Sequence, residues 1–440
     1  VFLSEMPSTD EDPSFETYVG DLLNFMRYSK IWRPDTFSKR KNILVVALVA
    51  ILLTSDLMLI ISACIDFKNA SNDLTSFATY TGPLCLQCIG LIKWSYCIWR
   101  VNEISNLIGT LERCHYFSMK INNNDLGWEK YRAEMTRTRT HYLRFLYGWL
   151  WLCMYGVLHW CSNPLILEFQ ERNLAAEYPM DANVTDRRVR KLPYLGWKPW
   201  DVNGNVGYTF MYIVQFIGGI SSAMGSITYD VFYISSLMIV CAQLRYLNYS
   251  LVDESDVTTI LNLDFERKLK NCVNHHSEIL TFLNSLEVLA SPAMFVQCLE
   301  NIIVLCMVSL EASTVEVNTN VTTIMKLWSM LEYFLSVIAQ LFVYCYYATK
   351  IRTLGFQIAD SVYLSSWEQM TCDYTKTNEN HQKTIRRINH MVQFFIFRAQ
   401  RSIVLTGGPF YVLSLQTFKS VVGIAMSNSV ILRQVVQDQT

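Results

Sequence analysis

Seven runs of roughly 20 apolar residues recur along this chain of 440 residues, each the length of helix that a bilayer core of about 30 Å requires. Lipid cannot hydrogen-bond an open backbone, so such runs must be helical. They are Ile43 to Cys64, Phe77 to Trp99, Leu143 to Trp160, Val206 to Leu244, Val288 to Leu310, Ile324 to Tyr347 and Pro409 to Val435. The third is short, and the seventh is diluted by Ser, Thr, Asn and Gln. The fourth would extend roughly 58 Å at 1.5 Å per residue, so one of its ends must project well beyond the membrane. Composition agrees with lipid as the main solvent, since 17% of residues are charged and 51% hydrophobic, against roughly 25% charged in soluble domains. A net charge of -1 leaves no electrostatic footprint for nucleic acid. Most of the 13 cysteines stand inside the apolar runs, where Cys acts as a small hydrophobe. The first 22 residues hold no Lys or Arg, so no signal peptide is expected ahead of the first run.

Lys and Arg collect on cytoplasmic flanks, and here they divide unevenly. The segment before the first run and the loops after runs two, four and six hold 25, against eight on the other side. The amino terminus is therefore expected in the cytoplasm and the carboxyl terminus outside. Glycosylation acceptors stand at Asn69, Asn183 and Asn320, one in each loop expected outside, while a fourth, at Asn248, falls on the inner side. This orientation excludes a G-protein-coupled receptor, whose amino terminus is external, and neither Asp-Arg-Tyr after run three nor Asn-Pro-x-x-Tyr in run seven is present.

An enzyme finds little support. Di-iron membrane enzymes need about eight clustered histidines, and this chain has seven, with only His275 and His276 adjacent, in a polar stretch where a solvated pair is expected. There is no P-loop, zinc signature or Ser-His-Asp spacing, and no metal or cofactor is expected. Cys85 and Cys88 lie inside a run without a second pair, which points to helix packing. Charges within runs flag function, and Asp56, Lys93, Glu300 and Lys419 are among them. Lys93 is expected to snorkel, and Asp230 to sit at the inner interface. No broken-helix pairs or internal repeat mark a transporter.

Gly407-Gly408-Pro409 interrupts the chain ahead of the last run, after an amphipathic segment with Ile385, Ile388, Val392 and Phe395 at helical spacing. Two helices joined by a hinge are expected. The stripe on the first suits either another subunit or a membrane surface. In the second, Ile424, Ser427, Asn428, Ile431, Gln434 and Val435 share one face. Mixed hydroxyl, amide and branched groups suit a water-filled conduit that gates by dewetting, or hydrogen bonding between helices of a bundle.

The segment Pro409-Phe-Tyr-Val-Leu-Ser-Leu-Gln-Thr-Phe418, with Ser427 and Leu432-Arg433, resembles the carboxyl-terminal signature of insect odorant receptors, which are ligand-gated cation channels. The likeness is specific over about 25 residues and extends through length and orientation to the whole chain. Ala425-Met-Ser-Asn-Ser429 replaces the Ser-Tyr-Ser-Tyr/Phe run frequent in the family. The resemblance implies an all-α integral membrane fold with seven transmembrane helices, a cytoplasmic amino terminus and an external carboxyl terminus, the last helix split into a cytoplasmic anchor and a pore-lining part. Residues 1–42 would be cytoplasmic, 43–347 helices one to six, 348–408 the loop and anchor, and 409–440 the pore helix and tail. The long insertion of the co-receptor Orco between helices 4 and 5 is missing, which implies an odorant-tuning subunit in a heterotetramer with Orco, located in the plasma membrane of a sensory-neuron dendrite. The alternative is a gustatory-type channel subunit, though the Thr-Tyr and Gln-Phe pattern of that group is absent. A transporter or membrane enzyme ranks below both.

By the same resemblance the odorant site lies among helices 2, 3, 4 and 6. The candidates are Phe77, Tyr80, Thr81 and Leu84; Met154, Tyr155 and Leu158; Tyr208, Met211, Tyr212 and Gln215; and Leu331, Tyr333 and Phe334. Pore candidates are Ile424, Ser427, Asn428, Ile431, Gln434 and Val435, with the constriction near Ile431 and Val435. None of the pocket candidates is charged, which implies a small neutral volatile. Burying roughly 250 Å² of ligand at about 25 cal/mol per Å² supplies about 6 kcal/mol before association costs, so micromolar affinity is expected. The orientation has a direct test: an epitope at Thr440 should be labelled by antibody on intact cells, and labelling only after permeabilisation contradicts it.

Overall fold

The computed structural model describes residues 14–32, 39–70, 74–121, 125–177, 190–252, 262–315, 321–365, 367–368, 379–409 and 411–439. These form a helical bundle: α1 (Phe15–Tyr28), α2 (Lys39–Ala70), α3 (Leu74–Trp99), α4 (Val101–Ile121), α5 (Asp125–Glu177), α6 (Asn205–Val252), α7 (Asn262–Thr314), α8 (Val321–Tyr363), α9 (Glu379–Ala399) and α10 (Leu415–Gln439). A two-stranded hairpin, β1 (Thr406–Gly407) and β2 (Tyr411–Val412), joins α9 to α10. Among the described residues, α2, α5, α6, α7 and α8 are long and apolar enough to cross a membrane. The expected spans two and seven are α3 and α10, where Gln87 and Lys93 in the one, and Ser, Asn and Gln in the other, dilute the apolar content. Helix α3, 26 residues long, would still reach roughly 39 Å.

Helix α6 is the axis. Apolar residues surround its whole circumference, which is the pattern of a buried helix, and the run from Tyr229 to Leu244 is buried throughout. Helices α2, α3, α5 and α8 pack around it. The α3 crossing is close because both helices offer glycine there. A Cβ at Gly90 would stand 2.3 Å from Ser222 O, and one at Gly225 2.2 Å from Gly90 O, so no larger residue fits without parting the backbones. Ser222 Oγ donates to Leu86 O across the contact at 2.9 Å.

Two of the charges inside the bundle pair with each other. Lys93, expected to snorkel, is fully buried, and its Nζ lies 2.7 Å from Oδ1 of Asp230, also fully buried. Asp230 is therefore held inside the bundle by a cation from α3. Trp149 Nε1 donates to its Oδ2 at 3.2 Å, and Gln340 and the Tyr344 hydroxyl donate to it as well. Gln297 on α7 extends this network to Glu300 at 2.6 Å, Asn301 at 2.8 Å and Gln340 at 3.2 Å. Asp56 is buried with neither oxygen hydrogen-bonded among the described residues, and Lys419 is exposed.

Helices project well past the spans. The short third span is the middle of the 53-residue α5, the fifth lies in the 53-residue α7, and α8 runs on past Tyr347 to Tyr363. Helix α4, in a stretch expected as loop, buries Ile104, Leu107, Leu111, Cys114 and Ser118 against α7 and α6. This packing overturns the reading of His275 and His276 as a solvated pair. Both are buried. His275 Nε2 lies 2.9 Å from Ser118 Oγ and 3.0 Å from Gln243 Oε1, and His276 faces the Phe395 ring at 5.3 Å. The amphipathic helix is also covered from within: Ile388, Val392, Phe395 and Ala399 of α9 are buried against α7 and α8 of this same chain, so neither a second subunit nor a lipid surface occupies the stripe. The expected hinge is the hairpin. Gly408 adopts φ +69, a conformation glycine tolerates at no steric cost. Its N–H donates to Ser291 Oγ at 2.8 Å, and Thr406 Oγ1 to Glu287 Oε1 at 2.6 Å, which ties the turn to α7.

Two outcomes follow from these burials. Lys93→Met leaves Asp230 charged without its cation, and removing one partner of a buried pair typically costs about 3–5 kcal/mol. Thermal unfolding of the purified chain should show a large loss that Lys93→Met combined with Asp230→Asn partly restores. Burial, with His276 beside it, pushes the His275 imidazole down to about 3, and burial, with Arg398 beside it, pushes His276 down to about 4. Since the unfolded groups titrate near 6.5, their contribution is complete above that pH and is lost as pH falls toward the folded values. Stability should decline from pH 6.5 to 4.5, and less steeply in a His275→Gln, His276→Gln variant; identical slopes would contradict this.

Candidate functional site

A cavity of about 130 Å³ lies between α3, α5, α6 and α8. Pro83 and Leu86 come from α3, Leu152, Cys153, Gly156, Val157, His159 and Trp160 from α5, Ala223 and Ser226 from α6, and Ser329, Glu332, Tyr333 and Ser336 from α8. Pro83 removes a backbone donor inside α3, and beside it the Tyr333 hydroxyl donates to Gly82 O at 2.9 Å, fixing the ring against this turn of the helix. Gly156 lets the Glu332 side chain come close: a Cβ there would meet Glu332 Oε1 at 3.0 Å.

One wall is not helical. Tyr194, from the stretch ahead of α6, lines the cavity beside Trp160, and the two rings stack at 6.4 Å. Both residues also line an outer pocket of about 410 Å³ bearing Asp66, Arg190, Lys191 and Lys198. The pair thus separates a polar vestibule from the apolar interior. Gln215 holds this partition at two points, its Oε1 accepting from Tyr194 N and its Nε2 donating to Tyr194 O, each at 3.0 Å. Trp160 Nε1 donates to Pro193 O at 2.9 Å, and Trp197 N to Ser62 O at 3.0 Å.

Of the fourteen residues named from the sequence, only Tyr333 lines this cavity. Tyr80 and Leu84 border a smaller space of about 40 Å³ on the other side of Tyr194. Thr81 donates to Phe77 O within its own helix, and the Phe77 ring meets Phe67 at 5.0 Å. Tyr155 stacks between Trp151 and His159, Met154 is part-buried in the core, and Leu158 and Leu331 are exposed. Tyr208 and Met211 are buried, the Tyr208 hydroxyl donating to Lys191 O at 3.1 Å, and the Tyr212 hydroxyl donates to Cys161 O. Phe334 packs with Val308, Met330 and Ala425, between α7, α8 and α10. The helices named were those that bound the cavity, but the residues chosen faced elsewhere on them.

The cavity contains an ionisable pair, against the expectation that it holds none. His159 Nδ1 lies 3.0 Å from Glu332 Oε2. Both residues stand within apolar runs, and the rule that flags intramembrane charge would have found Glu332. Among the described residues no cluster of His, Cys, Asp and Glu could hold a metal ion.

On α10, Val421, Ala425 and Ser429 are buried toward α7, while Ile424, Ser427, Asn428, Ile431 and Gln434 lie together on the exposed side. The side chain of Val435 falls outside the described residues, as do those of Asn69, Asn183 and Asn320. Asn248 is engaged in packing, donating to Leu354 O at 3.1 Å and accepting from Ser361 at 2.8 Å.

The family model described as 7tm Odorant receptor matches residues 73–426. The chain belongs to this odorant receptor family. Odorant receptor 85c of Drosophila melanogaster is 23% identical over 362 residues, covering 82% of either chain, and odorant receptor 83a of the same fly is 22% identical over 333, covering 65% of either. The bundle is similar to the solved insect olfactory receptor OR5 from Machilis hrabei in complex with eugenol, with a TM-score of 0.72 at 15% identity over 96% of this chain and 98% of that one. The structure of OR5 without that ligand gives a TM-score of 0.70. This odorant receptor is a helical membrane protein, and its family consists of receptors, not enzymes.

Proposed function

We propose that this odorant receptor is the tuning subunit of an odorant-gated cation channel, assembled with Orco and opened by a small volatile bound in the cavity between α3, α5, α6 and α8. The observation that carries the reading is that cavity: apolar on most of its lining, shut from a polar vestibule by Tyr194 and Trp160, and set in a member of the odorant receptor family. Its volume of about 130 Å³ is near the roughly 150 Å³ that accommodates benzene in an engineered cavity, so the ligand class is a single ring or a short chain. OR5 was solved with eugenol, a compound of that kind.

The exposed face of α10 supports the channel part. Ser427, Asn428 and Gln434 project away from the bundle beside Ile424 and Ile431, and lipid is a costly neighbour for amides. Facing copies from other subunits, they would line a polar passage narrowed by the isoleucines. The basic bias supports a cytoplasmic position for the end of the bundle bearing α1, α4 and α9, with the vestibule outside, where a volatile arrives. The receptor then sits in the plasma membrane of a sensory dendrite, with Asn69, Asn183 and Asn320 available to glycosylation.

Co-expressed with Orco, the chain should pass cation current when a panel of small volatiles is applied, and Gly156→Leu, which fills the cavity, should raise the half-maximal concentration at least tenfold while surface expression is retained. A response without current, or an unchanged dose-response curve in Gly156→Leu, defeats the reading.

A further inference from the structure

Runs three, four and six each carry a cation at the end expected in the cytoplasm: Arg144 beside Leu143, Arg245 beside Leu244 and Lys350 just past Tyr347. The packing of α5, α6 and α8 brings these ends together. On α5, Arg137, His141 and Arg144 share one exposed stripe. Arg137, Arg144, Arg245 and Lys350 are all close enough for their charges to act on the His141 imidazole. Glu134 engages Arg245, which donates from Nε to Oε2 at 2.9 Å. Arg137, Arg144 and Lys350 make no ion pair among the described residues, and Lys350 rests over the Tyr346 and Tyr347 rings at 5.5 and 5.9 Å. The flank rule collects cations near span ends, but it does not ask cations from three helices to converge on one histidine, where they repel.

From this cluster an apolar surface runs into the span. Tyr147 and Trp151 are exposed on α5, three and seven residues on from Arg144, and Tyr346 and Phe342 are exposed on α8 at steps of four from Lys350. Cations at the membrane edge above exposed aromatic rings complement an anionic lipid, and basic pockets between helices on the cytoplasmic side take inositol phosphate headgroups. We infer that the ends of α5, α6 and α8 bind a phosphoinositide, its ring phosphates between Arg137, Arg144 and Lys350 and its acyl chains along the exposed rings of α5 and α8. Guanidinium groups stay charged and fork toward phosphate oxygens, so the cluster favours a headgroup with several phosphates over one with a single phosphate. The same three helices wall the cavity, so the lipid would tie together the far ends of helices that a ligand touches. This inference rests on the expected orientation, which sets these ends beside the inner leaflet, and on no part of the channel reading.

The test is thermal stabilisation of the purified full chain in micelles of a neutral detergent, titrated with dioctanoyl phosphatidylinositol bisphosphate, dioctanoyl phosphatidylserine or free inositol trisphosphate. The bisphosphate lipid should stabilise the wild type at concentrations tenfold or more below either of the others. One cation near an anionic headgroup is worth roughly a factor of five. Arg137→Gln combined with Arg144→Gln should therefore raise the half-maximal lipid concentration at least tenfold. Lys383→Gln combined with Arg386→Gln removes the same charge from exposed positions on α9 and should leave it within about twofold. Equal losses in the two double variants would mean diffuse attraction and overturn the site. So would a wild type that answers phosphatidylserine as well as the bisphosphate lipid, which decides the matter alone should the α5 variant fail to fold. An equal response to inositol trisphosphate overturns the lipid as occupant, because the acyl chains would then contribute nothing. Micelles have no leaflets and the assay needs neither Orco nor current, so the orientation is read separately by labelling at Thr440 and the channel reading by its own recordings.

Discussion

A charged carboxylate at the centre of a lipid-embedded bundle is costly unless its charge and its lone pairs are engaged, and Asp230 is engaged by four other helical side chains. Lys93 arrives from α3, Trp149 from α5, and Gln340 and Tyr344 from α8. Each of these elements must hold its rotation about α6 to within a fraction of an ångström for the bonds to form. Apolar packing alone is permissive about such rotations, because one methyl-rich face fits against another in several registers. The hydrogen-bonded carboxylate is not permissive, and a slip of α3 by one residue would bury a lysine with no partner. The Gly90–Gly225 crossing serves the same end, since the close approach of α3 and α6 shortens the path over which the Lys93 side chain must reach.

The cavity stands directly on this network. On α5, Cys153 lines it and Trp149 lies four residues earlier; on α6, Ser226 precedes Asp230 by four; on α8, Ser336 precedes Gln340 by four. Residues four apart in a helix are stacked one turn over the other. The floor of the cavity is thus a layer of engaged polar groups, while its roof is the Trp160–Tyr194 partition held by Gln215. From the floor, Gln340 contacts Gln297 on α7, and α7 packs along α10. A ligand that displaced α8 could not do so silently, because its Gln340 bonds would have to be remade on both sides.

Legibility from sequence followed the range of the interactions. The seven apolar runs and the split before the last helix depend on neighbours along the chain, and each matches a helix or the break ahead of one. Window averages see only apolar density, so they passed over α1 and α4, whose apolar residues recur every three or four positions amid charge. They also give no weight to His159 in run three and Glu332 in run six. Lys93 and Asp230 lie 137 residues apart, and nothing in the local pattern of either indicates the other, so the sequence alone offers snorkelling for a lysine that a buried carboxylate neutralises. The same holds for His275, whose partners Ser118 and Gln243 come from α4 and α6.

Which face of a helix turns inward is likewise a tertiary matter. Tyr333, Glu332 and Ser329 line the cavity, whereas Leu331 one residue away is exposed and Phe334 joins the contact between α7 and α10. Aromatic and aliphatic character was a poor guide to that division, because both a ligand and the surrounding lipid attract such residues. Polar residues inside spans discriminate better. Lipid rejects them, so in a span they must face the protein interior, a ligand or another subunit. By that criterion Ser226, Ser329, Glu332 and Ser336 mark the cavity wall, and Ser427, Asn428 and Gln434 mark the side of α10 that its own bundle leaves open. The two sets lie on different helices and answer different needs: the first is enclosed by one chain, and the second is complete only when something other than lipid stands opposite.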